Sequence, residues 1–212
     1  MGISLFGNTT IGFVLFLTHI LSCLTVGILF RFWKCKKKNI ISKNHANLGS
    51  KKDQKTTANF SNLGSILQNS IMSSINTIIM IGGFVMLFSV IISILNNTKI
   101  FEILSIVSSP ILNKLNLPIS FANGFFAGII ELTNGVSLIS KVPFKAISVN
   151  MIICSFLLGF GGISILLQVL SITSTSDISI KPYIMAKLMQ GSFAAIYTYL
   201  ILSNFAFLNF DI

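Results

Sequence analysis

Long runs of apolar residues, separated by short charged or polar stretches, organise this chain. Four of these runs carry no charged residue, and they cover residues 11–30, 56–98, 146–176 and 188–210. Each run is at least about 20 residues long, enough for a helix to cross a hydrocarbon core of roughly 30 Å. None of them alternates apolar and polar residues in the short segments typical of membrane β-strands. The pattern predicts an all-α, polytopic membrane protein with about four spanning helices.

A polar interruption inside the apolar run 119–140 is the first candidate for chemistry. Glu131 is the only ionisable residue of that run, and a carboxylate at membrane depth costs roughly 2.5–3.5 kcal/mol on insertion scales. Thr133 follows it, and Asn134-Gly135 tolerates backbone angles closed to most residues, which predicts a break or tight turn there. We therefore expect a re-entrant or broken helical hairpin with a polar tip. A full crossing by residues 119–140 is the alternative, and it would reverse the side of every later segment.

A glycine cluster, GFGG at residues 159–162, interrupts the third uncharged run near its middle. Each glycine costs roughly 1 kcal/mol relative to alanine inside a helix, so the cluster predicts a second discontinuity. A half-helix starting near Ser164 would direct free amides and the positive end of its dipole at a cavity. Gln168 offers a donor and an acceptor one turn later. The alternative is that the glycines admit a bulky neighbour at a tight helix crossing.

Two interrupted hydrophobic segments indicate a binding site near the middle of the membrane, as in secondary transporters. The predicted ligand-binding residues are Glu131, Thr133, Asn134, Gly161, Gly162, Ser164 and Gln168. Their carboxylate, hydroxyls and amides suit a small polar solute, with a coupling cation that could balance Glu131. No Ser-His-Asp set, carboxylate pair or cluster of metal ligands is visible in the sequence. We therefore predict no catalytic residue, no metal site, no cofactor and no enzymatic activity.

Composition and charge place the chain in a lipid bilayer and orient it. Hydrophobic residues make up 53% of the sequence and charged residues only 9%, whereas soluble domains carry about 25% charged residues. Nine of the fifteen Lys and Arg residues fall between Arg31 and Lys55, against the single acid Asp53. Basic residues collect in cytoplasmic loops next to anionic lipid. Residues 32–62 are therefore predicted to form a flexible cytoplasmic loop rather than a nucleic-acid site.

The remaining elements carry less chemistry. Residues 63–95 predict an amphipathic helix near the interface that runs into the second span at residue 77. Gly82-Gly83 within this span would allow close packing or a bend, and close packing is the simpler prediction. Residues 96–117 predict a short surface helix followed by a turn that ends in proline. His19, in the first span, is predicted to be packed or hydrogen-bonded rather than to relay protons.

Several stretches of the sequence resemble a known family. They are GIIELTNG, LLGFGGISILLQVLSI, KPYIMAKLMQG and LFGNTTIGFVLFLTHILS, and they resemble the sporulation integral membrane proteins of the YlbJ type. That family belongs to the nucleoside-recognition, or Gate, domain proteins, which are distantly similar to concentrative nucleoside transporters and ferrous-iron permeases. The resemblance implies a multi-pass protein of the bacterial cell membrane that is needed for spore cortex formation. It implies no particular substrate.

The resemblance also implies an organisation and a length. The expected segments are a first transmembrane helix (1–31), the basic cytoplasmic loop (32–62), a Gate-like membrane repeat (63–172) and a last transmembrane helix with its tail (173–212). Family members are about twice as long, and this chain resembles only their C-terminal half. We therefore expect half of a split gene, a truncated product, or a chain that pairs with a second half-length chain or with itself to rebuild the cavity.

Two functions remain in competition on the sequence alone. In the first, the protein binds or moves a small polar solute at the predicted site. In the second, it is a structural or assembly protein whose polar residues only join helices, and the GxxxG pair Gly124 and Gly128 matters through helix packing. An intramembrane enzyme is not expected, because no nucleophile has a partner.

Overall fold

The fold consists of α-helices throughout the part of the chain that can be described. The computed structural model describes residues 2–31, 63–143, 147–173 and 179–204. In chain order the helices are α1 (Gly2–Phe6), α2 (Thr9–Arg31), α3 (Leu63–Asn97), α4 (Ile100–Lys114), α5 (Ser120–Ile130), α6 (Leu132–Ser140), α7 (Ile147–Phe160), α8 (Gly162–Thr173) and α9 (Ile180–Asn204). The predicted all-α class is confirmed. The predicted basic loop and C-terminal tail lie outside the described residues, and the division into four segments stays a prediction.

Helices α2, α7 and α9 pack side by side. The Thr198 hydroxyl donates to the Thr18 hydroxyl at 3.3 Å, and the start of α2 packs against the end of α9, so these two helices are antiparallel. Helix α7 contacts α9 where two glycines meet, since a Cβ added to Gly159 would lie 2.7 Å from the Gly191 Cα. Small residues let the backbones approach this closely, which is how membrane helices commonly associate.

Three segments are long and apolar enough to cross a membrane. They are Thr9–Arg31, Leu63–Asn97 and Ser148–Thr173, the last of which contains the glycine cluster. The predicted fourth span corresponds to α9, whose 25 residues pack along α2 and α7. Because it carries Lys181 and Lys187, α9 is less hydrophobic than the other three. That α9 is a fourth span therefore stays a prediction.

Helix α3 joins two predicted segments. The expected amphipathic segment at the interface and the second span form one continuous helix of 35 residues, about 52 Å long at 1.5 Å per residue. Phe88 and Ile92 are its buried residues. No atom of the described chain lies within 4 Å of a Cβ placed on Gly82 or Gly83. The expectation of close packing at these two glycines is therefore wrong within the described residues.

The region between α3 and the hairpin is a helix and a turn. The predicted surface helix is α4, and Pro110 lies inside it rather than at its end. The turn follows at residues 115–119, with Asn116 in the left-handed region at φ 52° and Pro118 just before α5. Helix α4 faces the hairpin through Phe101, which packs near Ile92 and Ala127 in one buried cluster.

Candidate functional site

The first helix break lies at Glu131, between α5 and α6. Glu131 has an extended backbone, φ −142° and ψ 121°, and it ends one helix and begins the next. Its carboxylate accepts hydrogen bonds from the backbone N–H of Thr133 at 3.0 Å and of Asn134 at 2.8 Å, and from the Thr133 hydroxyl. The first amides of a helix have no acceptor within the helix, so the carboxylate caps α6.

This position corrects the predicted turn. The sequence places the break at Asn134-Gly135, whereas both residues lie inside α6 because the Glu131 carboxylate starts that helix three residues earlier. Gly135 instead lets α6 touch α5, since a Cβ on Gly135 would lie 2.0 Å from the Gly128 Cα. A Cβ on Gly124 would lie 2.6 Å from a side-chain carbon of Ile139. The chain therefore reverses, and residues 119–140 form a helical hairpin instead of one crossing helix.

The second break lies at Gly161, between α7 and α8. Gly161 and Gly162 have φ angles of 87° and 80°, values that glycine adopts readily and other residues rarely. The Gly161 N–H donates to the carbonyl oxygen of Leu157 at 2.7 Å. Helix α8 begins at Gly162, two residues before the predicted start at Ser164. The predicted discontinuity is therefore present.

The two breaks meet. A Cβ on Gly162 would lie 3.0 Å from the carbonyl oxygen of Gly128, 3.3 Å from that of Ile129 and 3.4 Å from the backbone nitrogen of Leu132. The start of α8 thus lies against the last turn of α5 and the first residue of α6. The neighbour that the glycines admit is backbone, and not the bulky side chain that the alternative interpretation expects.

The predicted polar residues form two groups beside this junction. Glu131 is 3% exposed, Ser164 is 1% exposed and Gln168 is 8% exposed. In α8 the Gln168 amide nitrogen donates to the Ser164 hydroxyl at 3.3 Å. Across the described residues, no hydrogen bond links this pair to Glu131, Thr133 or Asn134. The two groups therefore lie on neighbouring helices, which touch at their glycine backbones, but no hydrogen bond joins one group to the other.

Several hydrogen bonds between helices involve polar residues that the sequence did not mark as site residues. The Asn134 side chain donates to the Ser89 hydroxyl of α3 at 2.9 Å, and Ser105 of α4 donates to Asn123 of α5 at 2.7 Å. In α7, the buried Asn150 amide donates to the carbonyl oxygens of Ile139 at 3.0 Å and Val142 at 3.1 Å. The available signal was a lone polar residue within an apolar helix, because such a residue needs a partner.

The junction is packed, and an open cavity lies elsewhere. A cavity of about 800 Å³ is bordered by α1, α2 and α7, with Thr9, Phe13, His19 and Leu158 among its lining residues. In the described ranges, no three His, Cys, Asp or Glu side chains lie close enough together to hold a metal ion. What the junction offers is therefore hydrogen bonding and one buried carboxylate.

Comparison with known proteins identifies a similar protein. Over 208 residues, or 95% of its length, it is 31% identical to the sporulation integral membrane protein YlbJ of Bacillus subtilis (strain 168). The chain is a relative of YlbJ. It spans about half of YlbJ, 51% of that protein's length. No family model and no solved structure matches the chain.

The similarity to YlbJ confirms two predictions. The resemblance to the YlbJ type extends over nearly the whole chain and over only half of the longer relative, as expected. Together with the three apolar spans, it confirms a multi-pass membrane protein. The Gate-type site, its ligand-binding residues and the role in the spore cortex are not tested by YlbJ's name or by the fold, and they stay predictions.

Proposed function

We propose that this chain is a membrane protein of the sporulation programme, acting in spore cortex formation, and that its paired helix breaks form a Gate-type site that binds or moves a small polar solute. The sporulation role comes from the similarity to YlbJ. We further propose that it works together with a second half-length chain or with a second copy of itself.

The observation that carries the solute site is the buried carboxylate of Glu131 at the junction of the two breaks. A carboxylate has about four acceptor sites, and two backbone amides and one hydroxyl occupy three of them. One acceptor site is therefore left for a donor group of a solute or for a coupling cation. An ionisable residue retained at membrane depth is by default a functional candidate, because its insertion is costly.

The neighbouring α8 supplies the complementary groups. The first amides of a helix carry the positive end of its dipole, and α8 begins directly against α5 and α6. Ser164 and Gln168 lie in its first two turns and are buried. A ligand that reaches Glu131 would meet its negative charge, and Ser164 and Gln168 on the adjacent helix would offer hydroxyl and amide groups. Non-helical backbone of this kind is tolerated in membranes where it lines such a site.

Ligand-dependent stabilisation of the purified full chain tests this proposal. Uridine and adenosine, each in sodium chloride or in choline chloride, are suitable probes, because the family that the chain resembles is distantly similar to concentrative nucleoside transporters. We expect at least one probe to raise the unfolding temperature of the wild type, and the shift to disappear in Glu131→Gln. The exposed acid of α4 offers a matched control, Glu102→Gln, which should keep the shift. An undiminished shift in Glu131→Gln would reject the role of Glu131.

A structural or assembly protein is the second candidate, and one observation favours it. The Glu131 carboxylate already caps α6, and Gly124 and Gly128 are closely packed against Ile139 and Leu157. In this case Glu131→Gln should leave the yield of heat-resistant spores normal, whereas enlarging Gly124 and Gly128 to valine should reduce it. If Glu131 instead binds a solute, Glu131→Gln should also reduce the yield of heat-resistant spores. The spore count of this variant therefore separates the two functions.

A further inference from the structure

Lys187 of α9 is a basic residue inside the helical bundle, and it is not one of the site residues predicted from the sequence. It lies four residues before Gly191, which is about 6 Å along the helix at 1.5 Å per residue. Gly191 contacts α7 at Gly159 and Phe160, immediately before the second helix break. Lys187 is therefore about one helical turn from the contact of α9 with the end of α7.

The ammonium group of Lys187 points into the bundle. A lysine on a helix normally leans towards the N-terminus of that helix, and from α9 this direction would carry the charge towards Lys181 and the membrane surface. Instead, the Lys187 ammonium donates to the side-chain oxygen of Gln190 at 3.0 Å, three residues further along the helix. Gln190 is buried. The hydrogen bond therefore holds the ammonium further along α9 than the Lys187 backbone, away from Lys181.

Among the described residues, the groups around Lys187 are donors or neutral groups, and no acid is paired with it. His19 and Cys23 of α2 lie in the neighbourhood of Lys187. The Nδ1 atom of His19 is buried without a hydrogen-bond partner. The acids of the described ranges are Glu102 and Glu131, and neither forms an ion pair with Lys187. A charge at this depth is stable only when an opposite charge or strong acceptors meet it.

The second helix break leaves this face of α9 open. Helix α7 packs along α9 up to the contact between Gly159 and Gly191. Beyond Gly161 the chain turns, and α8 packs against α3 and α5 instead. Lys187 lies on the part of α9 beyond the end of α7, and it is partly exposed. The side chain of Lys187 is therefore accessible on the face of α9 that α8 leaves uncovered.

We propose that Lys187, together with Gln190 and His19, forms a binding site for an anionic group, either a carboxylate or a phosphate. Lysine binds such groups as a compact charge with several N–H donors, and the attraction is stronger in an environment of low dielectric constant. The anionic group belongs either to the headgroup of an anionic lipid or to a free anion. This site is separate from the one at Glu131 and does not depend on it.

The full chain in lipid nanodiscs tests the site and identifies the source of the anion. Its unfolding temperature is measured in phosphatidylcholine alone, in phosphatidylcholine with phosphatidylglycerol, and in phosphatidylcholine with inorganic phosphate. We expect phosphatidylglycerol or phosphate to stabilise the wild type and Lys187→Arg. A response to phosphatidylglycerol alone assigns a lipid headgroup, and a response to phosphate assigns a free anion. If neither probe stabilises the wild type, the proposal is wrong.

Two variants assign the response to Lys187. Lys187→Gln should lose the stabilisation, and in phosphatidylcholine alone it should unfold no earlier than the wild type because it removes an unpaired charge. Lys181→Gln, at the start of the same helix, should respond as the wild type does. If Lys187→Gln does not fold, Gln190→Leu replaces it and should weaken the response by releasing the ammonium. An unchanged response in Lys187→Gln, or in the Gln190→Leu that replaces it, overturns the proposal.

Discussion

The two helix breaks differ in what makes them possible. At Glu131 a side chain ends one helix and caps the next, and the chain turns back on itself. At Gly161 and Gly162 no side chain takes part, and positive φ angles let the chain bend between α7 and α8. The comparison shows that one membrane junction can use an ionisable group at one break and the absence of side chains at the other.

The difference follows from what each new helix meets at its start. The first amides of α6 are satisfied by the Glu131 carboxylate. The start of α8 lies beside the carbonyl oxygens of Gly128 and Ile129, in the last turn of α5. The positive end of α8 thus faces the negative end of α5, an arrangement that opposite helix dipoles favour. This approach requires glycine at Gly162, because any side chain would lie between the two helix ends.

The largest expected effect comes from filling the hairpin that carries the first break. In Gly135→Ala the new Cβ would meet the Gly128 Cα at 2.0 Å, and backbone cannot move aside as a flexible side chain can. We expect the loss of unfolding free energy to reach at least the upper end of the ~1–3 kcal/mol typical of overpacking. Unfolding in mixed micelles with increasing SDS measures it.

Gly83→Ala is the matched control for this substitution. Gly83 also lies in a helix, but no described atom is within 4 Å of its Cβ position. We expect a change of at most about 1 kcal/mol, in the stabilising direction, because alanine favours the helix. Equal effects of the two substitutions would show that α5 and α6 do not touch at Gly135.

The second break should respond to two adjacent alanine substitutions unequally. In Gly161→Ala and Gly162→Ala the positive φ angle alone costs roughly 1–2 kcal/mol. The nearest atoms to a Cβ on Gly161 are side-chain atoms of Ile165, at 3.3 Å or more, whereas the nearest to a Cβ on Gly162 is the Gly128 carbonyl oxygen at 3.0 Å. Gly162→Ala should therefore cost more in the same SDS titration. Equal costs would mean that the two breaks do not meet.

Much of this architecture follows from the sequence, because the bilayer imposes simple requirements. Apolar runs of spanning length predict α2 and the inner part of α3, and the glycines of GFGG predict the second break. The lone acid Glu131 correctly marks the first break, although the predicted turn three residues later is wrong. Glycine at Gly135 suggested a turn, yet a glycine inside a helix can equally mark a close approach of another backbone.

The rest depends on tertiary contacts that periodicity does not encode. The hydrophobic pattern predicts that an amphipathic segment runs into a span over residues 63–95, and α3 is continuous there, but the pattern does not show that Phe88 and Ile92 are the residues that α3 buries. The inward direction of Lys187 depends on Gln190, and whether α8 stays beside α9 depends on the dihedral angles at the glycine break. A single sequence gives no access to either, since both are set by which helices meet.

Removing the carboxylate at the first break should have an intermediate effect. Glu131→Ala removes the acceptor for the backbone amides of Thr133 and Asn134, and loss of a helix cap costs about 0.5–2 kcal/mol. Glu131→Gln keeps one acceptor oxygen and should cost less. The SDS titration of both variants measures the difference. If both variants were as stable as the wild type, Glu131 would not cap α6, and its burial would need another cause.

The smallest effect concerns the hydrogen bond that ties the first break to α3. The Asn134 amide donates to the Ser89 hydroxyl at 2.9 Å, and such bonds between membrane helices contribute on average about 0.6 kcal/mol and at most about 1.7 kcal/mol. A double-mutant cycle of Asn134→Ala and Ser89→Ala isolates this coupling from the packing that each substitution also removes. The cycle of Gln168→Ala with Ser89→Ala is the control, because no hydrogen bond joins that pair, and its coupling should be near zero. A coupling for Asn134 and Ser89 no larger than the control would mean that α3 is held at the hairpin by apolar contacts, such as Ile92 with Ala127, and that the polar tip is free to bind something else.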